Sequence, residues 1–189
     1  MPMVLFTRIL SGGQSGVDRA ALDAALARNV PCSGWCPRGR RAEDGPIDQR
    51  YPLAETPGRN YPQRTEWNVR DSDGTLILVQ GSPDRGTALT IKLAARLQKA
   101  CLVLDLSGRQ LVEKVLCWAQ RNHVRVLNVA GPRESKNPGI YERAFQFLRK
   151  LLAFSELKEL PGRRPKRIGS QKSRREQGVH HDHQRQRSG

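Results

Sequence analysis

The residues best placed to do chemistry follow the first apolar segment, in the stretch SGGQSG at residues 11–16. Glycine lets a backbone amide approach an oxyanion closely, and a helix beginning there adds the partial positive charge of its first turn. The stretch lacks both the complete G-x-G-x-x-G pattern and the Walker lysine. Ser15 and Asp18 also have the spacing of a capping box. Taken alone, the stretch fits an anion-binding turn and a tight structural turn equally.

Similar residue types follow the other apolar segments. Arginines and glycines occur in residues 36–45, glycine and hydroxyl residues in 81–87, and glycine, arginine and serine in 131–136. Arginine offers paired donors to a phosphate group, although loop arginines are equally often only solvated charges. In an open α/β sheet these loops lie beyond the carboxyl ends of the strands, where such folds bind ligands. Their convergence predicts a pocket for an anionic ligand.

Alternating apolar strands and amphipathic helices must position these loops. Near-continuous apolar strands that alternate with helices predict an α/β fold with an open, doubly wound, mainly parallel sheet of about five strands. Asn137 is the predicted N-cap of the last helix. The polar stretch 36–74 is predicted to be a lid or binding loop that contains one helix. The predicted strands are 4–10, 32–35, 75–80, 101–106 and 124–130, and the predicted helices are 15–28, 62–70, 87–98, 109–122 and 137–154.

Charge and composition divide the chain in two. Of the net charge of +15, residues from 161 onward carry +7 and residues 1–160 carry +8. The last segment has almost no apolar residue, so we predict a folded domain at 1–157 and a disordered basic tail at 158–189. A basic chain favours anionic partners: a phosphorylated small molecule, or nucleic acid bound through the tail. Without zinc-like cysteine spacing, a signal segment or a membrane-spanning run, we expect a cytoplasmic protein with reduced cysteines, no metal site and no membrane association.

Longer motifs carry a resemblance to a known family. The motifs SGGQSGVDRAALDAA, GWCPRGRRAEDGPI, YPLAET, RTEWNVRDSDGTLIL, GTALT and VLNVAGPRESKNPGIYE occur in that order over about residues 7–153. Together they resemble the molybdenum cofactor carrier family, which belongs to the Rossmann-like superfamily shared with the LOG lysine-decarboxylase-like and DNA-processing protein A families. The resemblance implies a Rossmann-like three-layer α/β/α domain that forms homo-oligomers, dimers or tetramers. It also implies that the domain carries the molybdenum cofactor (molybdopterin) unchanged and that molybdoenzymes accept it.

The same resemblance implies which residues face the ligand. In the LOG relatives, which hydrolyse nucleoside monophosphates, the motif P-G-G-x-G-T-x-x-E ends in a catalytic glutamate, and Thr90 stands at that position here. Threonine without a partner is no general base at neutral pH, so we expect no catalytic residue and a non-catalytic carrier of molybdenum cofactor or a similar phosphorylated, nucleotide-like ligand. A nucleotide-processing N-glycosidase and a single-stranded nucleic-acid-binding module are the alternatives, although only 5% of residues are aromatic and could stack on bases. The implied ligand-binding residues are Gly12, Gly13, Gln14, Ser15, Gly16, Arg40, Arg41, Ser82, Gly86, Thr87, Gly131, Arg133, Glu134 and Ser135.

Overall fold

Strands and helices alternate along most of the chain, as the apolar pattern predicts. The structure, a computed structural model, describes residues 5–81 and 85–156. The predicted tail at 158–189 and the predicted site residue Ser82 lie outside these ranges. In chain order the elements are β1 (Arg8–Leu10), α1 (Val17–Ala27), β2 (Cys32–Ser33), β3 (Trp35–Cys36), β4 (Arg41–Ala42), β5 (Gly45–Pro46), β6 (Ala54–Glu55), α2 (Tyr61–Arg70), β7 (Gly74–Val79), α3 (Arg85–Arg96), β8 (Ala100–Asp105), α4 (Leu111–Arg121), β9 (Val126–Ala130) and α5 (Ile140–Glu156).

The main sheet has five strands, all parallel, in the order β2-β1-β9-β7-β8. The last strand of the chain, β9, therefore lies in the centre, between β1 and β7. Parallel strands end at one edge, so the loops that follow β1, β9 and β7 are neighbours there. The predicted α/β fold class is confirmed, and this strand order decides which of the predicted loops can meet.

Helices cover both faces of the sheet. Successive residues of a strand point to opposite faces, and on β8 Leu102 and Leu104 pack with α1, α4 and α5 while Cys101 packs with α2 and α3. On the first face, small alanines let α1 lie close to β9 and α5. The layers are therefore helix, sheet, helix. Among the described residues, no helix combines the length and the apolar character needed to cross a membrane.

The polar stretch 36–74, predicted to be a lid or binding loop with one helix, contains several further elements of secondary structure. It contains a β4–β5 hairpin, helix α2, and β6, which pairs with β3. A separate apolar cluster anchors it to α1; its buried members are Leu22, Cys36, Ile47, Tyr51 and Leu53. Helix α2 begins at Tyr61, with Asn60 as N-cap and proline in its first turn, as expected from the sequence.

Two local predictions were wrong. The strand predicted at 32–35 is two strands, because Gly34 has a φ of +147° and passes so close to β1 that a Cβ there would lie 2.0 Å from the Ser11 carbonyl oxygen. Asn137 does not cap the last helix, since its side-chain amide donates to the Gln80 carbonyl at 3.2 Å. The amides near the start of α5 donate instead to the carboxylate of Glu134.

Candidate functional site

The loops after β1 and β9 are joined into a single wall, which we call the loop ridge (residues 12–16 and 131–135). The amide of Val17 donates to the Pro132 carbonyl at 3.2 Å, and the amide of Glu134 donates to the Ser15 hydroxyl at 3.2 Å. Gly16 has a φ of +75°, and a Cβ there would lie 2.5 Å from the Pro132 carbonyl oxygen. Ser15 therefore joins the two loops and does not cap α1.

The turn of the β4–β5 hairpin is hydrogen-bonded to both loops of the loop ridge. The Glu43 carboxylate accepts hydrogen bonds from the hydroxyls of Ser15 and Ser135 and from the Ser135 amide. Burial raises the pKa of Glu43, but the hydrogen bonds from the two serines outweigh it and the net shift is downward. Glu43 therefore stays ionised at neutral pH and holds both loops in one position.

Two pockets flank the loop ridge. The inner pocket, of about 100 Å³, lies among the ends of β1 and β9, the start of α3 and helix α2. Its lining residues are Gln14, Asp18, Tyr61, Arg64, Thr65, Gly86, Thr87, Leu89, Thr90, Ala130, Gly131 and Arg133. The outer pocket, of about 600 Å³, lies among α1, α5 and residues 43–51. Its lining residues are Ser15, Gly16, Arg19, Asp23, Glu43, Asp44, Arg50, Tyr51, Glu134, Ser135 and Tyr141.

Gln14, which lines the inner pocket, has an unsatisfied donor. Its side-chain oxygen accepts from the amides of Ser15 at 3.1 Å and Glu43 at 2.8 Å, which fixes the orientation of the carboxamide. The side chain is only 3% exposed, and its Nε2 has no hydrogen-bond partner in the part of the chain that the structure describes. A buried donor without an acceptor costs about 1–3 kcal/mol. Such a group in a pocket wall points to a ligand that accepts its hydrogen bond.

Three charged residues line the same pocket. Arg64 and Asp18 form a buried ion pair, with 2.9 Å between Nη1 and Oδ2. Arg64 Nε is also buried and has no partner among the described residues. The Arg133 guanidinium stacks 4.6 Å from the centre of the Tyr61 ring. With two arginines and one aspartate, the wall of the inner pocket carries a net positive charge when Asp18 is ionised.

The outer pocket has the opposite character. Asp23 accepts hydrogen bonds from the hydroxyls of Tyr141 at 2.8 Å and Tyr51 at 2.9 Å, and pairs with Arg50 at 3.0 Å. Burial and the Asp23 carboxylate raise the pKa of Tyr141, so its phenol remains a donor at neutral pH. Carboxylates outnumber guanidinium groups in this lining, which makes it suited to groups that donate hydrogen bonds and unsuited to an anion.

The implied site residues do not all share one pocket. Gly12 and Gly13 pack against protein: a Cβ on Gly12 would lie 1.7 Å from Arg64 Nη1, and one on Gly13 would lie 2.5 Å from Leu53 Cδ1. Nine of the others divide between the two sides of the loop ridge. Gln14, Gly86, Thr87, Gly131 and Arg133 line the inner pocket, whereas Ser15, Gly16, Glu134 and Ser135 line the outer pocket.

Arg40 and Arg41 lie apart from both pockets. The Arg40 guanidinium is buried and donates to the carbonyls of Ile47 at 2.8 Å, Asp48 at 2.7 Å, Tyr51 at 2.9 Å and Leu53 at 3.1 Å. Arg41 is exposed in the β4–β5 hairpin. This geometry gives Arg40 the role of holding segment 47–53 in place. Neither arginine lines the inner or the outer pocket, so the expectation that they neutralise a ligand gains no support from this geometry.

The inner-pocket residues that sequence reasoning missed include three with charged or aromatic side chains, Asp18, Tyr61 and Arg64. Asp18 was interpreted as part of a capping box, but its carboxylate faces Arg64. Tyr61 and Arg64 have the i, i+3 spacing that places two residues on one helix face. Arg64 lies on the helix predicted at 62–70 and Tyr61 immediately precedes it, so that spacing was the available signal. Glu66, from the same helix, pairs with Arg96 at 2.8 Å and does not line the inner pocket.

The close contact at Gly16 can be tested by a pair of alanine variants. Gly16→Ala is expected to destabilise the protein far more than Gly139→Ala, by at least about 2 kcal/mol more. Both glycines have positive φ, but a Cβ at Gly139 has no atom within 4 Å whereas one at Gly16 meets the backbone of the β9 loop. Urea denaturation measures the difference. Equal losses from the two variants would mean that backbone strain alone, and not the joining of the loops, requires glycine at position 16.

Comparisons with known proteins agree with the fold. Residues 9–152 match the model of the circularly permutated YpsA SLOG family. A crystal structure from Syntrophus aciditrophicus SB, named "Putative molybdenum carrier protein", is 43% identical, covers 78% of this chain and 95% of that chain, and has a TM-score of 0.74. Comparison with curated proteins gives no match. The expected family relationship is confirmed. Because the family model spans most of the chain, this protein belongs to the circularly permutated YpsA SLOG family.

Proposed function

We propose that the protein is a carrier that binds a phosphorylated heterocycle without covalent change, with the molybdenum cofactor as its first candidate ligand. The name of the Syntrophus structure supports the choice of candidate. The observation that carries the proposal is the buried Gln14 Nε2 without a partner, in a pocket that also contains Arg64 and Arg133. One acceptor-rich anion would satisfy all three groups.

The inner pocket suits the phosphate end of such a ligand. Its volume, about 100 Å³ against about 600 Å³ for the outer pocket, is enough for a tetrahedral oxyanion and makes it the tighter of the two sites. Arginine guanidinium groups bind phosphate oxygens through charge-assisted hydrogen bonds, and a neutral amide adds a directed donor. The start of α3, with Gly86 and Thr87 in the lining, adds the positive end of a helix dipole.

The outer pocket suits the ring. Its volume of about 600 Å³ is within the range of roughly 300–1,000 Å³ that is typical of small-molecule sites. Carboxylates such as Asp23 can accept hydrogen bonds from the ring N–H and amino groups of a heterocycle. Gln14 and Arg133 line the inner pocket, and the residues that directly follow them, Ser15 and Glu134, line the outer pocket. A ligand lying across the loop ridge would place its phosphate on one side and its ring on the other.

The inner pocket offers little to a hydrolase. Thr90, at the position of the LOG glutamate, is 4% exposed, and its hydroxyl donates to the Gly86 carbonyl at 3.2 Å. Among the described residues that line this pocket, Asp18 is the only one with a carboxylate, and that carboxylate is paired with Arg64. A general base must be free to accept a proton from the attacking water and must lie within hydrogen-bond reach of it. These contacts favour binding and release over cleavage.

A Gln14→Glu variant tests the proposal. Glutamate keeps the oxygen that accepts from the Ser15 and Glu43 amides but replaces the buried donor with a second acceptor. We expect the variant to bind inorganic phosphate at least about tenfold more weakly than the wild type, as measured by calorimetry. Gln120→Glu, an equal change on an exposed face of α4, should leave the affinity unchanged. Equal affinity of wild type and Gln14→Glu would remove the inner pocket as the phosphate site.

A further inference from the structure

We propose that Asp18 couples anion binding in the inner pocket to the uptake of one proton, so that the site releases its anion as the pH rises. The inference rests on the proposed function, because it assumes that the inner pocket holds an anion. It goes further because it gives a role to Asp18, to which the proposed function assigns none. The protonation state of Asp18 determines the pH range in which the ligand stays bound. The observations that carry it are the position, burial and surroundings of this carboxylate.

Asp18 is confined beside the anion. It lies in the first turn of α1, is 3% exposed and belongs to the lining of the inner pocket. Its Oδ2 lies 2.9 Å from Arg64 Nη1. The backbone at Gly12 closes the other side, since a Cβ there would lie 2.8 Å from Asp18 Oδ2 and 1.7 Å from Arg64 Nη1. Neither partner of the ion pair has room to withdraw from an incoming anion in that direction.

The groups that face Asp18 come from three neighbouring segments. Arg64 faces it from α2, Arg133 from the β9–α5 loop, and the backbone amide of Gln14 from the β1–α1 loop. Helix α3 contributes only uncharged residues to the described lining. Burial raises the pKa of Asp18 more than Arg64, the Gln14 amide and Arg133 together lower it. The carboxylate is thus already easier to protonate than an ordinary aspartate before any anion binds.

A bound dianion strengthens this tendency. It would compete with Asp18 for Arg64 and Arg133, the two cations of the described lining. With Asp18 ionised, the two cations face three negative charges; with Asp18 protonated, the charges balance. In a buried site the difference is large, because the low dielectric constant strengthens repulsion between like charges. Protonation of Asp18 also turns it into a hydrogen-bond donor toward the anion.

The direction of the pH dependence follows from linkage. Because the complex holds its proton more tightly than the free protein, protons favour the anion and the anion favours protonation. Affinity is constant below the pKa of Asp18 in the free protein. Above that value it falls by up to about tenfold per pH unit, until the pKa of Asp18 in the complex is passed. A carrier with this property holds its ligand in acidic solution and yields it in alkaline solution.

Sulfate is the probe for the test, because it remains a dianion between about pH 5 and pH 9 while phosphate changes charge. Calorimetric titration of the full chain, in buffers with different heats of ionisation, gives both the affinity and the number of protons taken up. We expect the wild type to take up as much as one proton and to lose affinity as the pH rises. Asp18→Asn should bind sulfate with no pH dependence and more tightly than the wild type at alkaline pH.

The control is Asp71→Asn, which breaks another aspartate–arginine pair, the exposed pair with Arg70, away from the inner pocket. It should behave as the wild type. Sulfate binding without proton uptake by the wild type would overturn the inference and leave the proposed function standing, as would an unchanged pH dependence in Asp18→Asn. Failure of the wild type to bind sulfate or phosphate would overturn both. The wild-type proton count decides the matter even if Asp18→Asn does not fold.

Discussion

Replacing Arg40 by methionine is expected to lower the free energy of unfolding by about 3–4 kcal/mol. The variant keeps most of the aliphatic volume but removes the donors that four backbone carbonyls of segment 47–53 share. Those carbonyls are turned toward the guanidinium, and methionine offers them no donor in its place. Urea denaturation followed by circular dichroism measures the change.

Arg41→Met is the matched control, because it makes the same chemical change at the next residue, which is exposed. We expect an effect within about 0.5 kcal/mol. Arg40→Lys should recover only part of the loss, since one ammonium group cannot reach four carbonyls arranged around a planar fork. If Arg40→Met instead kept full stability and lost phosphate affinity, Arg40 would be a ligand-binding residue and the structural role assigned to it would be wrong.

Replacing Arg133 by methionine is expected to weaken phosphate binding by about 10- to 100-fold, which corresponds to the loss of one charge-assisted contact of roughly 1.5–3 kcal/mol. Arg133 is the better target of the two arginines in the inner pocket. Removing Arg64 would also leave the buried Asp18 without its partner and would confuse binding with stability. Calorimetry at a fixed, moderate ionic strength measures the affinity.

Lys136→Met provides the comparison for this result. Lys136 is exposed, lies three residues away and lines neither pocket, yet its removal changes the net charge by the same amount. We expect less than about a twofold change in affinity, because an exposed charge is screened by salt. Equal losses from Arg133→Met and Lys136→Met would show that phosphate responds to the general positive charge of the chain and not to the inner pocket.

The periodic part of the fold could be predicted from sequence. Strands such as β7 are nearly continuous apolar runs, and helices such as α4 repeat apolar residues on one face, so both can be recognised from the local sequence alone. The central position of β9 could not be predicted, because the order of strands along the chain does not determine their order in the sheet. The break between β2 and β3 at Gly34 could not be predicted either, because it arises from a close approach of the backbone to Ser11.

The candidate site was predicted in outline only. Residues after β1 and β9 and at the start of α3 do line one pocket, and Gln14 and Arg133, two of the implied ligand-binding residues, are among them. Arg40 and Arg64 have the same side chain and both lie in polar sequence. Only the fold shows that the first donates to carbonyls and the second faces the pocket. The glycines of residues 12–16 were predicted to approach a ligand, but Gly12, Gly13 and Gly16 are explained by contacts with protein atoms.

The most direct test of the central claim, that the inner pocket holds the phosphate of a carried heterocycle, is native mass spectrometry with elemental analysis. Wild-type and Gln14→Glu proteins would be purified from the same cells, which make the molybdenum cofactor. We expect a non-covalent adduct containing phosphorus and molybdenum on the wild type, and its loss from Gln14→Glu. A wild-type protein without any adduct, or an adduct held equally by both proteins, would contradict it.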